Sequence, residues 1–320
     1  MMMHPPPPPP SQPAPITIFV HGTQIHALFK DIDVRSFFPG VTQSPAGLSP
    51  ITQLPEKHII RKSLTALSVA QPKKFPLAGM YTFGWSGGIE VSERCNAAKK
   101  LFGLLQALSQ EYNALHQASP EITLITHSHG GNVVLHMADH SIDPAPSIKR
   151  VILLACPVQE RTQSYTQSPL FEKMYSLHSH HDQFQIMDQG SLQIPRTIID
   201  TWKKNKKINI SELIEALKTV SWKFGSGRHF GTQRNLIQAT LDWAIPPLHK
   251  PEEVDRGLFI ELALYKATHP FSYHKRGLLH TEFTTPSFFE QIPSIIQNLD
   301  EKWAITGRIS HCITLSIAGS

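Results

Sequence analysis

Short apolar segments typical of buried strands recur along the chain and alternate with helical patterns. The clearest are Ile16–Val20 (ITIFV), Ile122–Thr126 (ITLIT) and Val151–Cys156 (VILLAC). They are rich in β-branched or large aliphatic residues and too short for a typical helix. Strands that are apolar throughout are buried on both faces, and the helices between them provide that cover. The sequence therefore predicts an α/β fold with a mostly parallel central sheet and helices on both faces.

Further elements follow from the same patterns. Thr285 is the expected cap of a helix that starts near Pro286, because proline suits the first helical turn. Pro293 is expected to kink or split that helix. Residues 31–78, rich in Pro, Ser and Gly, are predicted to be irregular. The remaining predicted strands are Met80–Phe83, Met174–His178 and a last one at Leu258–Leu264.

One α/β domain accounts for most of the chain. We expect it to span residues 15–303, after a disordered proline-rich leader at 1–14 and before a C-terminal tail at 304–320. Residues 183–257 have mostly helical patterns and form a stretch that is too long for a simple crossover. This stretch is predicted to be a helical insertion and a candidate cap over a functional site.

Composition and charge exclude several classes of protein. The longest unbroken apolar run, Val151–Cys156, is far shorter than a membrane span, and the N-terminus lacks the basic and apolar regions of a signal peptide. The three widely spaced cysteines fit neither a disulfide framework nor a zinc-type pair. Net charge is +5, but no basic and aromatic pattern indicates a nucleic-acid module. We therefore expect a cytoplasmic protein with no nucleic-acid partner.

The strand Ile122–Thr126 runs into the sequence HSHGG at residues 127–131. In an α/β sheet, a serine nucleophile sits at the apex of a tight strand-to-helix turn, and small residues on either side let strand and helix approach. Gly130 meets this requirement, whereas Thr126 stands where glycine is usual. The pattern T-x-S-x-G predicts Ser128 as a nucleophile, and the alternative is a serine in an ordinary βα turn.

The first predicted strand is followed directly by His21-Gly22-Thr23. Ester hydrolysis builds negative charge on the carbonyl oxygen, so two backbone N–H groups must be fixed there in advance. One comes from the residue after the nucleophile, here His129, and the other from a loop after an early strand, often with a His-Gly step. Thr23 is the candidate for this second donor.

A carboxylate follows the predicted strand Met174–His178. A serine hydroxyl needs a histidine to take its proton and an acid to orient that histidine, and in this architecture the acid follows the serine in the chain. Asp182 lies in the expected place, two strands after Ser128, and Asp188 is the reserve candidate. A turn residue is the alternative for Asp182.

The chain has 18 histidines, so position must select among them. His280 lies after the last predicted strand and just before the terminal helix, where the histidine of such a site belongs. It is therefore the predicted base. The competing candidates are His229, His269 and His274.

Together these segments resemble the α/β-hydrolase superfamily, in its bacterial lipase- and esterase-like branch. The matching segments are FVHGT at the first strand, FGWSG followed by Arg94 and an amphipathic helix, LITHSHGGNVV, and LLHTEFTTPSFFEQIP; they run from residue 16 to about 300. The resemblance implies Ser128, Asp182 and His280 as a catalytic triad. It also implies an ester substrate, either a small molecule or a lipid, and no cofactor.

Two other interpretations stay open. His178, His180, His181 and Asp182 are a histidine and carboxylate cluster of the kind that holds metal ions, with further histidines near the predicted elbow at His127 and His129. The run H-S-H-H-D lacks the spacing of a binuclear metallo-hydrolase. The other interpretation is a noncatalytic binding module, since a fold does not determine a function.

The predicted cap combines apolar and basic residues. An apolar face beside a basic rim suits a cap that admits an acyl chain and makes a peripheral contact with an anionic membrane surface. The alternative is that the apolar residues pack the insertion onto the core. The residues concerned are Trp202, Ile208, Leu213, Leu217, Trp222 and Phe224, with Lys203–Lys207 and Arg228 as the rim.

Overall fold

The structure is a computed structural model that describes residues 14–23, 44–88, 90–140, 145–186, 227–231, 233–269, 276–306 and 312–317. The strands are β1 Ile16–Val20, β2 Gly47–Pro50, β3 Met80–Gly84, β4 Ile122–His127, β5 Ile148–Leu154, β6 Met174–His178, β7 Leu236–Trp243 and β8 Ile313–Ile317. The α-helices are α1 Ile59–Ala70, α2 Val91–His116, α3 His129–His136, α4 Glu160–Gln163, α5 Arg256–Thr268 and α6 Pro286–Thr306. Short 3-10 helices are Ile51–Gln53, Leu77–Gly79, Met137–His140, Ser164–Gln167, Phe184–Ile186, Pro251–Glu253 and Thr281–Thr284.

The strands form one sheet in the order β2-β3-β1-β4-β5-β6-β7-β8. Strand β2 is antiparallel to β3, and the other neighbouring pairs are parallel. Val20 pairs with Thr126, so the chain leaves β1 and β4 at the same edge of the sheet. The predicted α/β fold class, with its mostly parallel sheet, is confirmed.

Two apolar layers cover the two faces of this sheet. Successive β1 residues point to opposite faces, so Phe19 belongs to one layer and Ile18 to the other. Helices α1 and α6 pack against each other in the Phe19 layer, while α2 and α3 contribute to the Ile18 layer. Apolar strands buried on both sides explain why β1 and β4 are continuous runs rather than alternating ones.

The predicted strand Leu258–Leu264 is wrong, because these residues belong to helix α5. Asp255 caps the helix by accepting a hydrogen bond from the Leu258 amide at 2.8 Å. Glu261, Ala263 and Leu264 all favour helix, and a short apolar run does not by itself separate helix from buried strand.

Two strands lie where the sequence predicts other structure. Strand β7 falls inside 183–257, so this range is not a purely helical insertion; residues 187–226 lie outside the described residues. Strand β8 falls inside the predicted tail 304–320 and pairs in parallel with β7, with Ala239 opposite Ile313. The sheet domain therefore extends beyond residue 303.

Other local predictions have mixed outcomes. Strand β6 has the predicted limits, and β2 and α1 lie in the range 31–78 that was predicted to be irregular. Thr285 precedes α6 and its hydroxyl accepts from the Phe288 amide at 3.4 Å. Helix α6 continues through Pro293 and is not split there.

Part of the predicted leader and most of the predicted basic rim lie outside the described residues. These are residues 1–13 of the leader and Lys203–Lys207 of the rim. The apolar cap residues also lie outside the described part of the chain: Trp202, Ile208, Leu213, Leu217, Trp222 and Phe224. Within the part of the chain that the structure describes, no helix is both long enough and apolar enough to cross a membrane.

Strand β8 should contribute measurably to stability. Leu315 is 9% exposed, whereas its neighbour Ser316 points to solvent. Leu315→Ala should lower the free energy of unfolding by about 2 kcal/mol, because it removes buried methyl groups. The control Ser316→Ala should change it by less than about 0.5 kcal/mol. Urea titrations measure both, and equal values for the two variants would contradict the packing of β8.

Candidate active site

Ser128 links β4 directly to α3 and has an unusual backbone conformation. Its φ is 53° and its ψ is −133°, in a region that residues with a side chain rarely adopt. Its amide donates to the Leu154 carbonyl of the neighbouring strand β5 at 2.8 Å, and its own carbonyl accepts from Gly131 at 3.0 Å. Such strain costs on the order of 1–3 kcal/mol and persists because the surrounding structure holds it.

Two glycines let this turn pack tightly. A Cβ at Gly130 would lie 2.3 Å from the carbonyl oxygen of Val20 in β1. A Cβ at Gly131 would lie 2.4 Å from the Cys156 sulfur and 3.2 Å from the Thr126 hydroxyl. The second glycine therefore makes room beside Thr126, which explains how threonine is tolerated where glycine is usual.

The loop after β1 lies against Ser128. A Cβ at Gly22 would be 2.6 Å from the Ser128 Cβ and 3.3 Å from its Oγ, so only glycine fits there. The ring of Trp85 stacks on His21 at 5.6 Å, and its Nε1–H donates to the His21 carbonyl at 2.8 Å. Trp85, in the segment after β3, thus holds the loop in place.

Both predicted oxyanion donors are backbone groups next to this contact. Thr23 follows Gly22 directly. His129 is the first residue of α3, so its N–H has no acceptor within the helix. That the N–H groups of Thr23 and His129 stabilise an oxyanion stays a prediction.

Asp182 and His280 are brought together from segments 98 residues apart. His280 Nδ1 lies 2.7 Å from Asp182 Oδ2, and Asp182 is fully buried after β6. The other carboxylate oxygen, Oδ1, accepts from the Gln185 amide at 3.0 Å. The carboxylate therefore faces His280 in a fixed orientation.

Arg228 holds the chain around Asp182. Its guanidinium donates to the carbonyls of Ser179, at 3.0 Å, and of Asp182, at 2.6 Å. Arg228 is thus half-buried and engaged by the loop after β6, whereas the other predicted rim residues, Lys203–Lys207, lie outside the described residues.

The backbone of His280 is also fixed on both sides. His127 Nε2–H donates to the His280 carbonyl at 2.9 Å, and the two rings lie 4.5 Å apart. The His280 amide donates to Glu261 Oε1 at 2.6 Å, and Thr281 donates its amide to Oε2 at 2.8 Å. Because His127 precedes Ser128 in the chain, its contact joins the serine turn to the histidine loop.

A second carboxylate, Glu282, stabilises the segment before His280. Glu282 is fully buried and forms an ion pair with Arg276 through two hydrogen bonds. It also accepts from the Leu279 amide at 2.8 Å and contacts His249. Burial would raise the pKa of Glu282, but its bonds to His249 and Arg276 lower it below the ordinary value.

The pKa values of the histidines at the site are shifted in opposite directions. Burial would lower the pKa of His280, but the charge and hydrogen bond of Asp182, with the charge of Glu261, raise it above the ordinary value. Burial lowers the pKa of His129 to about 3, with a contribution from Arg94, and lowers that of His127 well below its usual range. His280 is therefore the histidine best suited to hold a proton here.

Glu261 was not predicted from the sequence. It lies on α5, in the segment predicted to be a strand, and is 6% exposed. Burial, and to a lesser extent the charge of Asp182, raise its pKa to about 7 despite the opposing effects of His280 and Thr281. The signal available in the sequence was one acidic residue within the apolar run LFIELAL.

The competing candidates lie elsewhere. His269 is exposed and stacks on Tyr265, and His229 packs against His178 with ring centroids 4.4 Å apart. Asp188 and His274 lie outside the described residues.

The structure does not assemble the metal-ligand cluster considered from the sequence, although all four residues are described. Asp182 binds His280, and His181 Nδ1 lies 3.3 Å from the Tyr265 hydroxyl. The rings of His178 and His180 are 6.3 Å apart. The metal interpretation of these four residues as one ligand set is therefore wrong.

Comparisons with known proteins add little about chemistry. No protein-family model matches the chain, and no curated protein does. One matching solved structure is "Phospholipase PlaB from Legionella pneumophila in complex with thio-NAD", with 13% sequence identity and a TM-score of 0.34. The match covers 90% of this chain and 63% of the phospholipase, so this chain spans less than two thirds of that protein's length. This similarity is too low to indicate a substrate or ligand here.

Replacing Glu261 should remove a pH dependence of stability. Its folded-state pKa of about 7 lies above the ordinary 4.5, so the folded protein binds this proton more tightly than the unfolded chain does. Ionisation of Glu261 therefore lowers the free energy of unfolding as pH rises between these two values. Glu261→Gln has no ionisable group at this position, so its free energy of unfolding should not fall for this reason. Denaturant titrations across this pH range measure the difference. The control Glu290→Gln, at an exposed position, should keep the wild-type profile.

Proposed function

We propose that this protein is a serine hydrolase that cleaves carboxylic esters through an acyl-enzyme intermediate. The observation that carries the proposal is the conformation of Ser128, with φ at 53° at the turn from β4 to α3, which is the geometry expected of a nucleophile at a strand-to-helix turn. The Asp182–His280 pair, linked to this turn through His127, supports it. These groups are of the types and in the chain order that a serine triad requires.

In the proposed first step, Ser128 Oγ attacks the ester carbonyl carbon and its proton passes to His280 Nε2. Asp182 accepts the Nδ1–H of His280, which selects the tautomer and stabilises the imidazolium that forms. The 2.7 Å contact and the raised pKa of His280 support this role, because both favour the protonated ring.

The negative charge on the carbonyl oxygen is received by the backbone N–H groups of Thr23 and His129. The close contact between Gly22 and Ser128 supports a position for Thr23 near the reacting carbon. Fixed donors of this kind favour the transition state because they need no reorganisation when the charge develops.

The second half of the cycle reverses the proton transfer. His280 protonates the leaving alcohol. It then takes a proton from the water that attacks the acyl-enzyme and returns it to Ser128 Oγ as the bond to the acyl group breaks, so the acid is released and both residues are regenerated. Glu261 is a positioning residue in this scheme, since it binds the His280 and Thr281 backbone and not the reacting atoms.

Ser128→Ala should leave the fold intact and abolish esterase turnover by several orders of magnitude, because no other group supplies the nucleophile. The measurements are hydrolysis of p-nitrophenyl esters and covalent labelling by a fluorophosphonate. Ser294→Ala, at an exposed position on α6, should keep both activity and labelling. Labelling that survives in Ser128→Ala would refute the nucleophile. A folded wild-type protein that neither labels nor hydrolyses esters would favour the binding module.

His280→Ala should be nearly as damaging as loss of the serine, since the two residues act as a unit. His269→Ala is the matched control, because His269 is exposed and stacks on Tyr265 away from Asp182. It should retain close to wild-type kcat/KM. Steady-state kinetics of both variants with one ester test this prediction. An inactive His269→Ala variant would mean that the wrong histidine has been chosen.

A further inference from the structure

A cluster of three potential metal ligands lies apart from the Asp182–His280 pair. It combines His178 at the end of β6, His229 before β7 and Cys312 immediately before β8. One nitrogen of each histidine and the cysteine sulfur all lie within 4.8 Å of one another. Three segments that are distant in the sequence therefore bring two imidazoles and a thiol close enough to share one metal ion.

We propose that His178, His229 and Cys312 bind a divalent transition-metal ion, with Zn²⁺ as the best match. Two imidazoles and a thiolate are a ligand set that zinc prefers, and softer donors of this kind disfavour Mg²⁺ and Ca²⁺. The site is independent of the proposed hydrolase activity, and it differs from the cluster considered from the sequence in two of its three ligands.

The spacing of the donors fits such an ion. His178 Nε2 and Cys312 Sγ are 3.6 Å apart. In a tetrahedral zinc site, a sulfur ligand and a nitrogen ligand are also separated by about 3.6 Å, given ordinary Zn–S and Zn–N bond lengths. These two donors therefore need little movement to coordinate one ion.

A hydroxyl group adjoins two of the three donors. Thr240 Oγ1 lies 3.0 Å from His178 Nε2 and 3.3 Å from Cys312 Sγ. Once His178 Nε2 binds the ion, this hydroxyl can donate to the metal-bound thiolate, and such a contact orients a metal ligand.

The three ligands differ in exposure, so an ion could reach the buried His178 from the side of the exposed His229. His178 is fully buried, Cys312 is partly exposed and His229 is exposed. The ion would tie the end of β6 and the segment before β7 to the start of the edge strand β8. Three protein ligands would leave the fourth tetrahedral position open to water.

Metal titration of the untagged protein tests the proposal. After chelator treatment, one equivalent of Co²⁺ should produce a thiolate-to-cobalt charge-transfer band in the near ultraviolet, and Zn²⁺ should displace it. Zn²⁺ should also raise the midpoint of thermal unfolding, because it binds the folded chain selectively. Cys312→Ser should abolish the band, and His229→Ala should weaken cobalt binding by more than about 100-fold.

Cys95→Ser is the matched control, because Cys95 Sγ also lies 3.6 Å from a histidine nitrogen, His136 Nδ1. This variant should keep the band and the thermal shift. His229 is exposed, so its alanine variant should fold and can be checked by circular dichroism. Absence of the band in wild type, or its persistence in Cys312→Ser, would overturn the proposal.

Discussion

Two buried carboxylates hold the irregular loop that carries His280, and the geometry of the candidate site depends on them. Glu282 binds Arg276 and the Leu279 amide before His280, while Glu261 binds the amides of His280 and Thr281. An unpaired buried carboxylate is costly, so each of them strongly favours the one loop position in which its partners are present. These contacts fix the position of the loop, although it lacks regular secondary structure.

The parallel sheet brings the remaining parts of the site to one edge. Strands β1, β4 and β6 run in the same direction, so the chain leaves them beside one another, at Gly22, Ser128 and the loop to Asp182. The carboxyl edge of a parallel sheet is where α/β proteins commonly assemble their sites. The strain at Ser128 is maintained by this arrangement, because both neighbouring strands and the glycines of α3 constrain the turn.

The end of β6 and the loop after it connect the candidate active site with the proposed metal site. The loop after β6 places Asp182 toward His280, whereas His178, four residues earlier, faces His229 and Cys312. Arg228 lies between the two sites and holds the carbonyls of Ser179 and Asp182. An ion at the second site would therefore stabilise the same segments that position the acid of the first.

The sequence alone determined the fold class, the strands β1, β3, β4 and β6, and the turn at Ser128, because each depends on a local pattern of apolar residues and glycines. It also placed Asp182 and His280 in the order that a triad requires. Tertiary structure alone decided the helical state of Leu258–Leu264, the strands β7 and β8, and the contacts of Glu261 and Arg228. The physical reason is that these depend on pairing between segments far apart in the chain: β8 needs β7 beside it, and Glu261 stays buried only where two distant amides meet it.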